Sequence, residues 1–118
     1  ITTPIKWKKA LEAGEYTAPS LVSDGFIHCS TIKQTVDTAN IFFRGQTGLI
    51  LLCIDEEKLE SECKYEDPVG GGQHDPAVGT LFPHVYGPIN LTAVVKVVDF
   101  HSGDDGFFIL PKEVILFY

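Results

Sequence analysis

The 118-residue sequence predicts an α+β domain, and three observations predict it. The apolar stretches Leu49–Ile54 and Ala93–Val98 have the length of strands. Two other segments, near Pro4–Ala13 and Thr31–Gly45, carry apolar residues at helical spacing instead. Turn residues punctuate these runs, with neither an internal repeat nor a linker that would divide residues 1–118 into more than one domain.

Each element follows in order. Pro4 to Ala13 reads as a helix, because Thr3 can cap it, Pro4 takes the favoured first position and Gly14 stops it. Trp7, Ala10 and Leu11 would share one face. Gly25–Ser30 is a short strand-like run. A second helix follows at once, opened by Thr31 and Gln34 at capping-box spacing and ended by Gly45. Ile32, Val36, Ala39 and Phe43 form its core stripe. Gly48–Ile54 reads as a central buried strand. Asp55–Leu59 is a turn or short helix, and Cys63–Glu66 a short strand. Asp67 to Thr80, with two prolines and four glycines, reads as a surface loop. Phe82–Tyr86 is extended, Gly87-Pro88 turns, and Leu91 to Phe100 is another strand. After a turn at Ser102–Gly106, two apolar patches, Phe107–Leu110 and Val114–Tyr118, finish the chain.

Composition narrows the function. Hydrophobic residues make up 44% and charged residues 21%, as in globular proteins rather than disordered ones. No apolar run approaches the roughly 20 residues of a membrane helix, and no signal peptide is visible, so a cytoplasmic location is expected. The net charge of −7, with no basic stripe, argues against a long nucleic-acid footprint but leaves room for one nucleotide in a local pocket. Cys29, Cys53 and Cys63 form no CxxC pair and cannot all pair in disulfides, so thiolate zinc has no support and a reducing compartment fits.

Two clusters could carry chemistry. In Phe26-Ile27-His28-Cys29-Ser30, strand alternation sends Ile27 and Cys29 to the core and leaves His28 and Ser30 together beside the helix start at Thr31. A histidine, a hydroxyl and a helix N-terminus suit a phosphate, carboxylate or ribose. The plainer reading has Ser30 assisting the cap and His28 bonding a backbone carbonyl. In Phe82-Pro83-His84-Val85-Tyr86-Gly87-Pro88 the same alternation puts His84 and Tyr86 on one face; the plainer reading is a proline-stiffened edge strand. Glu66 and Glu113, each at the end of a strand-like run, are candidate carboxylates. Gly70-Gly71-Gly72 lacks the lysine and helix of a phosphate loop.

These residues resemble the DUF952 family pattern. The resemblance rests on Trp7, Ala10, Gly14, Tyr16, the motif Asp24-Gly25-Phe26-Ile27-His28-Cys29-Ser30, Gln34, Asn40, Glu66, and the motif from Phe82 to Ile89. It runs from near Trp7 to near Pro111. The departures are an insertion-like loop around Gly70–Thr80 and a first strand that is short or absent at Ile1. The family resembles the ADP-ribosyltransferase-like group, which implies a mixed, mainly antiparallel split sheet with two short helices and a cleft for NAD. His28-Cys29-Ser30 is similar to the element that contacts ribose and nicotinamide there. The resemblance implies Tyr86 as the ring-stacking tyrosine and either Glu66 or Glu113 as the glutamate at the reacting centre. Thr31, Gln34 and His84 would join Ser30 in binding.

Three functions follow as expectations. The first is an enzyme acting on NAD, as substrate rather than cofactor, or on an ADP-ribose-like nucleotide. The second is a non-catalytic module that binds a nucleotide or small anion in the same pocket. The third, ranked last, is a metal-assisted hydrolase using His28, His84 and Glu66. Oligomeric state is not legible in the sequence.

Overall fold

The structure, a computed structural model, describes residues 1–67 and 81–117. The loop expected at Gly70–Thr80, and any role for it over a pocket, falls outside these residues.

Helix α1 (Pro4–Ala13) starts and stops as its ends dictate. Thr3 Oγ1 accepts from the Lys6 N–H at 3.3 Å, and Gly14 takes a left-handed φ of 85°. Ala10 is buried and Trp7 half-buried, but Leu11 is exposed, so α1 buries a narrower stripe than its apolar residues suggest. Strand β1 (Glu15–Tyr16) and the short helix α2 (Ser20–Ser23) lead to β2, which is trimmed to Ile27–His28. Helix α3 (Ile32–Phe42) opens on a complete capping box between Thr31 and Gln34. Its buried stripe holds Gln34, Thr35 and Ala39, while Ile32 and Phe43 pack at the core edge and Val36 is only half-buried. Gln34 and Thr35 tolerate burial because their polar atoms are bonded, Thr35 Oγ1 to the Thr31 carbonyl at 2.8 Å.

Strand β3 (Leu49–Ile54) pairs with β7 (Val94–Phe100). A 3₁₀ turn at Glu56–Lys58 leads to β4 (Glu62–Glu66), and β5 (Phe82–Tyr86) lies between β4 and β2. Strand β6 (Ile89–Asn90) pairs with β1. Among the described residues every strand pair is antiparallel, in four ladders that make three separate sheets, so the expected mixed sheet is corrected. The stretch Leu91–Ala93 is a 3₁₀ turn rather than the start of a strand. β5 is central, not an edge. Its proline is tolerated because the Pro83 carbonyl still accepts from the Cys29 N–H at 3.0 Å, and the missing donor removes only a rung at the end of two-residue β2.

The last apolar patch also differs: it forms helix α4 (Lys112–Phe117). A second short helix in addition to α2 therefore accompanies the two longer ones, α1 and α3. Two cores result. Ala39, Leu51, Val98, Phe100, Phe108 and Val114 make one, with the Phe100 and Phe108 rings stacked at 4.7 Å. Ala10, Tyr16, Ile27, Val85, Ile89 and Ala93 make the other. Asn40 ties the C-terminal segment to α3, its Oδ1 accepting from the Phe108 N–H at 2.7 Å.

Candidate functional site

Alternation along β5 sends Val85 into the second core and turns His84 and Tyr86 to the opposite face. Pairing brings residues of the flanking strands onto that face, because His28 on β2 and Lys64 on β4 both lie opposite His84. Glu66 lies two pairs along, on the same face, opposite Phe82. The centre of the group is its carboxylate. Glu66 Oε1 accepts from the Tyr86 hydroxyl at 2.5 Å and pairs with His84 Nδ1 at 2.9 Å. His84 is 2% exposed, which an imidazole tolerates when its polar edge is bonded and its face is covered. Phe26 covers it, ring on ring at 4.0 Å and an interplanar angle of 17°.

The electrostatics follow from these bonds. The Tyr86 hydroxyl first, and His84 second, hold the Glu66 carboxyl below its usual value. The same bond pushes the Tyr86 phenol up, since ionising it would place two negative oxygens together. The Lys64 ammonium lies 4.9 Å from the centre of the Tyr86 ring on its face. His28 extends the cluster. Its ring meets His84 edge-on at 5.5 Å, and its Nε2 pairs with Asp24 Oδ2 at 2.9 Å.

A cavity of about 350 Å³ is lined by Phe26, Glu66, Asp67, His84 and Tyr86. A second, of about 740 Å³, includes Ile27, Cys29 and Val85, whose side chains belong to the core face of the same sheet. Ser30 and Thr31 line the second cavity and not the first. The expected site residues are thus divided: Glu66, His84 and Tyr86 on one side, Ser30 and Thr31 on the other. His28 lines the larger cavity yet touches the His84 ring of the smaller.

Two expected positions are corrected. Gln34 cannot face a ligand with a free amide, because Oε1 accepts from the Thr31 N–H at 2.9 Å and Nε2 donates to the Leu81 carbonyl at 2.6 Å. Glu113 is not at a strand start. It is exposed in the first turn of α4 and lines neither cavity, since the helix turns its neighbour Val114 into the first core instead. Ser30 Oγ reaches Thr38 Oγ1 at 3.5 Å, a long contact that leaves the hydroxyl adaptable. Among the described residues no group of three or more His, Cys, Asp or Glu stands where it could hold a metal ion, so His28, His84 and Glu66 are not a ligand set. Asp24 and Phe26 were missed. Alternation would have found Phe26, which shares parity with His28, whereas Asp24 reaches His28 only through the bend after α2.

Comparison with known proteins places this geometry. Residues 1–97 match the family model described as a protein of unknown function, DUF952. Asp24 to Tyr86, the whole cluster, fall within the match, and Glu113 falls outside it. The X-ray structure of protein CC0527 from Caulobacter crescentus superposes with a TM-score of 0.79 at 30% identity, covering 97% of this chain and 94% of that one. The solution NMR structure of the same protein gives 0.75 at 30% identity, covering 97% and 92%. Among curated proteins there is no match. None of these descriptions assigns an activity.

Proposed function

We propose that this chain, which belongs to the DUF952 family, is an enzyme acting on NAD or an ADP-ribose-like nucleotide, with Glu66 at its reacting centre. One observation carries the reading: both bonds that fix the Glu66 carboxylate, from Tyr86 and His84, fall on Oε1. Among the described residues Oε2 has no partner and is offered to a substrate hydroxyl.

The chemistry that suits such a carboxylate is cleavage of a ribosyl C1′–N bond. Its electron pair leaves with nicotinamide, cancelling the charge on the pyridinium ring, and positive charge develops on the ribose. An ionised Glu66 bonded to the 2′-hydroxyl stabilises that charge where it forms. Water or an acceptor hydroxyl then bonds to C1′ and releases its proton. His28 orients the ribose, and Tyr86, beside Glu66, stacks on the departing ring.

The division of the site between two cavities favours a second reading: a module that holds the nucleotide without turning it over. Nicotinamide release from NAD separates the two. The enzyme reading expects steady release by the wild type, and loss of at least about a hundredfold in Glu66→Gln with NAD binding retained, the scale on which single electrostatic groups act. Binding without release establishes the module. Neither binding nor release removes the nucleotide from both readings.

A further inference from the structure

A nucleophile with an O–H group must lose its proton as it bonds to C1′, so a base has to stand near. The cluster contains two imidazoles, and burial separates their uses. His84 is closed off under the Phe26 ring and bonded to Glu66, whereas the His28 side chain is exposed. His28 on β2 and Glu66 on β4 flank β5 from opposite sides. Phe26 and His84, which line the smaller cavity with Glu66, each touch the His28 ring, at 4.9 and 5.5 Å between centres. A displacement at a sugar carbon needs such a separation, because the entering group and the leaving group occupy opposite faces.

Asp24 decides which nitrogen of His28 can act. Asp24 ends α2, and Gly25, at a left-handed φ of 87°, turns the chain so that His28 comes back against it. Asp24 Oδ2 lies 2.9 Å from His28 Nε2. A carboxylate oxygen only accepts, so Nε2 carries the hydrogen and the neutral ring keeps its lone pair on Nδ1. Among the described residues Nδ1 has no hydrogen-bond partner. As a stabilising pair the two are weak, since both side chains are exposed. As an orienting pair they do what a carboxylate does for a catalytic imidazole, fixing the tautomer and favouring the imidazolium that forms.

We propose, resting on the reading of Glu66 given above, that His28 is the base of that reaction and that the acceptor is an O–H group, water in the simplest case. The water oxygen bonds to C1′ with its lone pair, and the C1′–N pair leaves with nicotinamide. The water proton passes to His28 Nδ1 and from there to solvent. His28 is then a catalytic residue and Asp24 a positioning residue. A nucleophile without a proton to lose, such as azide, has no need of either.

The test follows nicotinamide release from NAD by the full chain, in water and with added sodium azide. Asp24→Asn is expected to keep the rise in melting midpoint that NAD causes and to release nicotinamide about a hundredfold more slowly, or slower still. Azide should restore its rate. His28→Gln, which can bond a ribose hydroxyl but takes no proton, is expected to behave alike. Glu66→Gln should stay slow with either nucleophile. Release by Asp24→Asn at the wild-type rate, or a loss that azide does not repair, overturns the base and leaves the reading of Glu66 standing. No release by the wild type with either nucleophile overturns both.

Discussion

Glu66 gathers the bonds of His84 and Tyr86 on one oxygen. Its depressed pKa and the raised pKa of Tyr86 make the cluster sensitive at both ends of the pH scale. A depressed carboxyl contributes stability that is present above its unfolded value and is lost as pH falls through the folded one. A raised phenol contributes below its unfolded value of about 10 and is lost as pH rises through the folded one. Glu66→Gln should flatten both limbs of a melting-midpoint profile against pH, and unchanged limbs would place the linkage elsewhere. His28 behaves differently, because its side chain is 45% exposed and belongs to neither core. His28→Ala should abolish stabilisation by NAD while moving the ligand-free midpoint little; a large fall would make the Asp24 pair structural. The thiols give a third test. Burial pushes Cys29 up to about 11 and Cys63, with Glu56 adding to it, up to about 12. Both should alkylate slowly with iodoacetamide near neutrality, as mass spectrometry would follow. Much of this scale is legible in the sequence. Period-2 alternation groups His84 with Tyr86, and a strand end marks Glu66, whereas Ser30 lies beyond the end of β2 on the larger cavity. Glu113 misleads because a short apolar run such as Val114-Ile115-Leu116 fits a strand or a buried helix turn equally.

At the scale of elements, signals that a segment contains within itself are the ones the sequence displays. The Thr3–Pro4 start, the Gly14 stop and the Thr31–Gln34 box all stand as local chemistry predicts. Thr31→Ala should cost about 1 kcal/mol through the lost cap, a fall of about 4 °C in the midpoint for a chain of this size. Gln34→Ala should cost more, since it also strands the Leu81 carbonyl 47 residues away. A smaller effect at Gln34 than at Thr31, measured by thermal melts, would contradict this. What the sequence hides is partnership between segments. That β5 is central, with β2 on one side and β4 on the other, follows from pairings 58 and 20 residues apart at Ile27–Val85 and Lys64–His84, for which no local pattern exists. The break between Leu91–Ala93 and β7 is equally nonlocal, because a 3₁₀ turn there buries Ala93 in the second core.

Across the whole molecule, no helix among the described residues is long and apolar enough to cross a membrane. The two cores divide the work: the first holds α3 and α4 on β3 and β7, and the second backs the strands that carry Glu66, His84 and Tyr86. Phe100→Ala, in the first core, should cost about 3–5 kcal/mol by denaturant unfolding. The pH limbs due to Glu66 should survive in the folded fraction, and their loss would show that the cores are not separable. The shared strand β5 has a further consequence. Its two faces encode different things, Val85 the packing and His84 with Tyr86 the bonds to Glu66, and a slip of one residue against β4 would exchange them. A misaligned chain would thus bury imidazole and phenol in oil and put valine in the cleft. Correct assembly of the cluster is thereby proofread by the act of folding: a molecule that has closed its interior has already aligned its polar triad, and no separate step is needed to set it.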